Sequence, residues 1–178
     1  MTESEAGRPG ANIRVAVDAM GGDYAPHVVV EGALEAARTQ PVDILLVGDR
    51  EAVEAEIARA GGGSLSLKVV PSEGKIVEEE HPVQALRHKP KASVVVGTQL
   101  LKQGEADALV SMGSTGAAMA AGALLLGTLG GLERPCIGGP FLGLAPKTVL
   151  VDMGSNVDCR APLLLGFAAM GCAFSRTL

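Results

Sequence analysis

Short apolar runs alternate with longer amphipathic ones along most of the chain. IRVAVD (Ile13–Asp18), DILLVGD (Asp43–Asp49), LSLKVVPS (65–72) and ADALVS (106–111) are each brief, apolar and bounded by polar or glycine positions, which predicts strands. Between them the pattern changes period. Pro26 suits the first turn of a helix that HVVVEGALEAAR continues, and REAVEAEIARA forms an amphipathic helix stopped by Gly61–Gly63. A polar loop, EGKIVEEEHP, precedes a short helix from Pro82 to about Lys89 and a longer one from about Ala92 to Gln103, closed by Gly104. After the fourth strand, SMGSTG leads into a helix expected over Gly116–Leu129. KTVLVDMG (Lys147–Gly154) predicts a further strand and APLLLGFAAMGCAFSR a further helix.

Strands alternating with helices specify the α/β class, with a mainly parallel sheet and helices on both faces. Parallel strands are buried on both sides, so unbroken runs such as DILLVGD are expected. Residues 12–178 contain no linker-like break and are expected to form one α/β domain. Residues 1–11, MTESEAGRPGA, are polar and lack the apolar core of a signal peptide, so a disordered tail is expected there.

Composition narrows the picture. Of 178 residues, 47% are hydrophobic but only 2% aromatic, so the core must be built from Ala, Val, Leu and Ile; 24 glycines imply tight turns and close packing. Ala108–Leu132 carries no charge and passes a length test for a membrane span. Ser111, Ser114, Thr115 and several glycines interrupt it, and a buried helix is the expectation. A net charge of -5, with no basic stripe interleaved with aromatics, gives no reason to expect nucleic acid. Cys136, Cys159 and Cys172 form neither a disulfide framework nor a CxxC metal site, which fits a reducing cytoplasm.

Three strand ends echo one another: VAVDAMGGD, ALVSMGSTG and VLVDMGSNVD. In a parallel sheet their carboxyl ends share one edge, where open α/β folds bind ligands. The echo is expected to gather Asp18, Gly21, Gly22, Asp23, Ser114, Thr115, Asn156 and Asp158 around one cleft. SMGSTG stands between strand and helix, where unpaired N–H groups and the helix dipole favour an anion, and Gly113 and Gly116 permit close backbone approach. Phosphate is one reading of Ser114 and Thr115; a plain helix N-cap is the other. The loop is neither a Walker A sequence nor a GxGxxG fingerprint. Asp152 and Asp158 suit either cations and substrate hydroxyls or turn stabilisation. Cys159 has no histidine near it in sequence and reads as a small buried hydrophobe rather than a nucleophile. In EEEHPVQALRHKPKAS, the residues Arg87, His88, Lys89 and Lys91 make either a basic grip for phosphate or a solvated helix end, and His81 is a candidate general base.

VAVDAMGGDYAP, HPVQALRHKPKAS, DALVSMGSTGA and VLVDMGSNVDC, in this order, resemble the PlsX family of acyl-ACP:phosphate acyltransferases, from about Ile13 to the end of the chain. The resemblance implies transfer of a fatty acyl group from acyl carrier protein to inorganic phosphate, giving an acyl phosphate for phospholipid synthesis. It implies a three-layer α/β/α sandwich like that of isocitrate and isopropylmalate dehydrogenases and of phosphotransacetylase. It further implies a homodimer, cytoplasmic and touching the inner face of the membrane peripherally, with no cofactor or metal. Residues 12–178 then correspond to the N-terminal part of one acyltransferase domain. The rest of the sheet, much of the dimer interface and the membrane-touching helices are expected in the part beyond. Where the family commonly has GNTG, this chain has Gly113-Ser114-Thr115-Gly116, which exchanges an amide donor for a shorter hydroxyl.

Strand-end geometry and resemblance together assign roles. Ser114, Thr115 and Gly116 would hold phosphate, with Asp18, Gly21, Gly22, Asp23 and Asp158 around the substrates. Arg87 or Lys89 would neutralise charge, Asn156 would stabilise the tetrahedral oxyanion, and His81 would serve as base. Alternatives are a CoA-dependent phosphotransacetylase or a dehydrogenase on the same scaffold, or a shortened chain that serves only as an interaction module.

Overall fold

A computed structural model describes residues 12–63 and 65–178; the tail expected over residues 1–11 lies outside them. The chain divides into two compact units, one ending at Ala121 and the other comprising Gly122–Leu178, and each is described by itself.

The first unit is built on four parallel strands: β1 (Ile13–Asp18), β2 (Val42–Gly48), β3 (Leu67–Pro71) and β4 (Ala108–Ser111), in the spatial order β3-β2-β1-β4. Side-chain alternation decides what each face of this sheet covers. Val17, Ile44 and Leu46 pack with Val30 and Leu34 of α1 (His27–Thr39) and with Val53 of α2 (Arg50–Arg59). Their neighbours in sequence, Ala16, Leu45 and Val47, point the other way and meet Leu100 of α4 (Ser93–Lys102). Leu34 is 1% exposed and Leu46 fully buried, and each such side chain contributes about 1.5–3 kcal/mol of transfer free energy.

Chain direction explains the two faces. The crossovers β1-α1-β2 and β2-α2-β3 step outward in one direction and put their helices on one face, as right-handed connections do. From β3 the chain passes through α3 (Pro82–His88) and α4, then returns to the far side of β1 as β4. The same handedness in the reverse direction puts α4 on the opposite face. At the base of the sheet, the Arg14 guanidinium grips Asp107 with two bonds of 3.0 and 2.8 Å, and the Arg14 N–H adds a third at 2.9 Å, joining the starts of β1 and β4.

α5 (Thr115–Ala121) closes the first unit. In the second, a π-helical turn spans Gly122–Leu126, with Gly127 N–H reaching the Gly122 carbonyl at 3.1 Å. The continuous α-helix expected over Gly116–Leu129 is therefore α-helical only to Ala121. The strand expected over Lys147–Gly154 is shorter too: β6 is Leu150–Val151, paired antiparallel with β5 (Gly138–Gly139). Asp152 follows with φ 58°, a left-handed conformation that ends the extended run. α6 (Ala161–Ser175) is the expected last helix. Among the described residues, no helix is long and apolar enough to cross a membrane.

Candidate functional site

The order β3-β2-β1-β4 contains one switch point. The chain leaves β1 toward β2, whereas β4 lies on its other side, so the loops behind β1 and β4 diverge and leave a crevice at the carboxyl edge. Asp18 and Ser111, the last residues of these strands, stand side by side in register. The Ser111 hydroxyl donates to Asp18 Oδ2 at 2.7 Å and accepts the Gly113 N–H at 3.2 Å, while the Met20 N–H donates to Asp18 Oδ1 at 3.2 Å. Asp18 is 3% exposed, so its carboxylate is dissolved in these donors rather than in water.

Glycine lets the two loops meet. A Cβ on Gly21 would lie 2.7 Å from Asp18 Oδ2 and 2.8 Å from the Gly113 nitrogen; one on Gly113 would lie 3.1 Å from Gly21 Cα. Gly22, at φ 101° and beside the Met112 carbonyl, turns the β1 loop in a conformation that other residues rarely adopt. A cleft of about 410 Å³ opens above this contact. Its walls are Gly21, Gly22 and Asp23 behind β1, Lys75–Glu79 on the loop behind β3, and Met112–Ser114 behind β4.

The structure thus brings together Asp18, Gly21, Gly22, Asp23 and Ser114. Ser114 also shows the plainer of its two roles: its hydroxyl accepts the Ala117 N–H at 3.3 Å, capping α5. Thr115 is the exposed first residue of α5, and a Cβ on Gly116 would stand 2.8 Å from Pro82 Cγ, so Gly116 lets α5 pack on α3. His81 is exposed at the head of α3, and Arg87 and His88 are exposed in its last turn. Lys89 donates from Nζ to Glu80 Oε2 at 2.7 Å and to the Lys75 carbonyl at 3.1 Å, and Lys91 pairs with Glu73. The Lys89 ammonium, helped by the Val77 N–H, holds the Glu80 carboxyl below the usual carboxylate range.

Asn156 and Asp158 belong to the second unit. There Asp152 Oδ1 accepts Asn156 Nδ2 at 2.9 Å and the Ser155 hydroxyl, and Oδ2 accepts the Cys159 thiol at 3.5 Å. Burial opposes ionisation of Asp152, but these hydrogen bonds together outweigh it and lower its pKa. Burial raises the Cys136 thiol, and burial with the bond to Asp152 raises Cys159. Both therefore favour the protonated thiol, which fits the reading of Cys159 as no nucleophile. Among the described residues no group of three His, Cys, Asp or Glu side chains is placed to hold a metal ion.

Three contributors escaped the sequence reading: Ser111, Lys75 and Glu80. Ser111 carried a signal, since it occupies the place in ALVS that Asp18 holds in IRVAVD. Lys75 and Glu80 sit in a polar loop whose sequence does not reveal that it folds over the strand ends.

Comparison with known proteins adds the following. A family model described as "Fatty acid synthesis protein" matches residues 13–178. A phosphate acyltransferase of Acaryochloris marina is 50% identical over 164 residues, covering 91% of this chain and 47% of the relative. Phosphate acyltransferases of Pelotomaculum thermopropionicum and a Synechocystis species are 46% and 48% identical, over 93% and 92% of this chain and 48% and 47% of theirs. The chain thus spans about half the length of these curated relatives. A crystal structure of a phosphotransacetylase from Streptococcus pyogenes superposes with a TM-score of 0.62 at 17% identity, over 89% of this chain and 52% of that one. That likeness concerns the α/β fold.

Proposed function

The chain belongs to the fatty acid synthesis protein family, and we propose that it forms the N-terminal part of an acyltransferase domain that moves a fatty acyl group from acyl carrier protein to inorganic phosphate. The observation that carries this reading is its identity, across nine-tenths of its length, to proteins called phosphate acyltransferase. Cytoplasmic location, a homodimer of the full-length enzyme and peripheral contact with the membrane belong to the same proposal.

The chemistry asks little of the protein. Phosphate is already a competent oxygen nucleophile and a thioester is already activated, so holding the two together supplies much of the acceleration. Phosphate sits in the cleft beside the β4 loop, against Ser114, Thr115 and Gly116. Lys75, on the cleft wall, and Arg87, on the helix that packs against α5, offset its charge. Asp18 and Ser111 fix the shape of the floor, with Gly21, Gly22 and Asp23 opposite. His81 accepts the proton that phosphate releases. Asn156, as oxyanion donor, and Asp158, beside the substrates, enter this proposal through the family resemblance alone. Within its own unit the Asn156 amide nitrogen is engaged by Asp152 Oδ1 at 2.9 Å, with Ser155 Oγ at 3.3 Å and the Pro135 carbonyl at 3.5 Å. The carbonyl carbon gains a P–O–C bond, the tetrahedral oxyanion collapses, and the carrier thiolate leaves, taking up a proton.

The test is a chimera in which residues 13–178 replace the matching half of the Acaryochloris marina relative, assayed beside the 178-residue chain. Acyl-acyl carrier protein and phosphate should yield acyl phosphate, trapped by hydroxylamine as the hydroxamate. A chimera that folds yet uses only short acyl-CoA would replace this reading with a phosphotransacetylase-like one. Thr115→Val should raise the phosphate concentration needed for half-maximal rate; an unchanged dependence removes Thr115 from that role.

A further inference from the structure

We propose that the Lys89–Glu80 pair is a brace that holds one wall of the cleft, making Lys89 a positioning residue rather than a group that touches phosphate. The wall Lys75–Glu79 is a loop of exposed side chains, with the exception of Ile76, which is 5% exposed. No strand or helix runs through it. Its shape must come from tethers, and three of them meet at two side chains. Lys89 Nζ holds the Lys75 carbonyl at 3.1 Å where the wall begins and Glu80 Oε2 at 2.7 Å where it ends. The same Glu80 oxygen accepts the Val77 N–H at 2.9 Å in the middle. One ammonium and one carboxylate therefore span the segment and draw its ends together.

Lys89 is well placed for this. It follows α3 as its C-cap, and its own N–H bonds the Ala85 carbonyl, so its backbone is anchored to a helix while its side chain crosses to the loop. The adjoining segments are stitched by main-chain bonds as well, Glu73 N–H to the Lys91 carbonyl at 2.8 Å and Ser93 N–H to the Gly74 carbonyl at 3.2 Å. Beyond Gly74 one main-chain bond remains in the wall, Glu80 N–H to the Val77 carbonyl at 3.2 Å, and it closes only the last turn; the side-chain brace is what ties the two ends together. Lys89 Nζ spends two of its three N–H bonds on these acceptors and does not line the cleft, whereas Lys75, whose carbonyl the brace fixes, does. Severing the brace leaves the sheet and the Asp18–Ser111 floor untouched while letting the wall drift.

The kinetic part of this inference rests on the acyltransferase reading; the structural part does not. In the 178-residue chain, Lys89→Met keeps the aliphatic stem and removes the charge, and amide hydrogen exchange is followed in peptides covering residues 74–80. Exchange there should rise about tenfold or more, that of β1 and β2 staying within twofold of the parent. Glu80→Gln should do the same, and the exchanged pair Lys89→Glu with Glu80→Lys should restore much of the protection. In the chimera described above, Lys89→Met should raise KM for phosphate several-fold and leave kcat within about twofold. Unchanged exchange at residues 74–80, or loosening spread evenly over the whole chain, overturns the brace. A fall in kcat with KM and exchange both unchanged returns Lys89 to direct action on the reacting atoms. A chimera without activity removes the acyltransferase reading, while the exchange result still judges the brace.

Discussion

Replacing one hydrogen of Gly21 by a methyl group tests the architecture of the site more sharply than any change of charge. In Gly21→Ala the new Cβ would stand 2.7 Å from Asp18 Oδ2 and 2.8 Å from the backbone nitrogen of Gly113. Neither neighbour yields easily. Asp18 is held by Ser111 and Met20, and Gly113 N–H is itself bonded to the Ser111 hydroxyl. Overpacking of this kind costs about 1–3 kcal/mol. Gly32→Ala is the matched control: Gly32 is exposed within α1, and its added Cβ would have nothing within 4 Å. There the same methyl group should stabilise by about 0.5–1 kcal/mol, through helix propensity and a less free unfolded chain. The two variants should therefore separate by about 1.5–4 kcal/mol in opposite directions from the parent. Urea unfolding followed by circular dichroism reads this directly. With a slope of about 1–3 kcal/mol per molar, the midpoints should differ by about 0.5–4 M at unchanged slope. If Gly21→Ala lies within about 0.5 kcal/mol of the parent, the two loops do not meet as described and the cleft floor has another shape.

Three further expectations follow from single contacts. Asp49 caps α2 by accepting the Ala52 N–H at 2.9 Å, so Asp49→Ala should lose about 0.5–2 kcal/mol in the same urea assay, and Asp49→Ser much less. The Asp107 carboxyl, held by the Arg14 side chain and then by its N–H, has its pKa lowered from 3.8 to about 2. A depressed carboxylate stabilises the fold above its unfolded value and loses that contribution as pH falls through its folded one. The gap in melting temperature between parent and Asp107→Asn should therefore be full at about pH 7, shrink between about pH 4 and pH 2, and vanish below; a constant gap contradicts the ion pair. Iodoacetamide at about pH 8 should label exposed Cys172 ahead of Cys136 and Cys159, whose thiols burial pushes up, as peptide mass spectrometry would show; labelling led by Cys159 would contradict the raised thiol.

Sequence patterning revealed the sheet because each of its four strands is a short, largely apolar run, the two central ones, β1 and β2, carrying the buried residues and the edge strands β3 and β4 being only partly covered. IRVAVD is β1 residue for residue, and β2 to β4 lie within their expected runs but for Val42, one residue outside. The echo among strand ends placed Asp18, Gly21, Gly22, Asp23 and Ser114 at one edge through its first two members, which are parallel neighbours; its third, VLVDMGSNVD, does not join that sheet, since β6 pairs antiparallel with β5. Where pattern failed, a partner decided the outcome. KTVLVDMG has the composition of a strand, yet only Leu150 and Val151 find a ladder, against two glycines, before Asp152 turns left-handed. GAAMAAGALLLG has the composition of an α-helix, yet its second half takes i to i+5 bonding at Gly122. The basic run after Pro82 advertised Lys89 as a phosphate grip. Its acceptor, Glu80, lies nine residues earlier in a segment without periodicity, and nothing in a linear pattern marks a contact made by folding a loop back over a helix end.

The position of β4 also makes the crevice the contact of longest chain separation in the sheet. Ile13 faces Val42 and Ile44 faces Leu67, so β1, β2 and β3 assemble by closing short stretches of chain. Ser111 and Asp18 are 93 residues apart, and closing that interval costs about 1 kcal/mol more than the β1–β2 closure. Without β4 the sheet would have three strands and an open β1 edge, and the crevice between the β1 and β4 loops would have only one of its sides. A chain stopped short of Ser111 would lack both the partner of Asp18 and the β4 loop that lines the cleft.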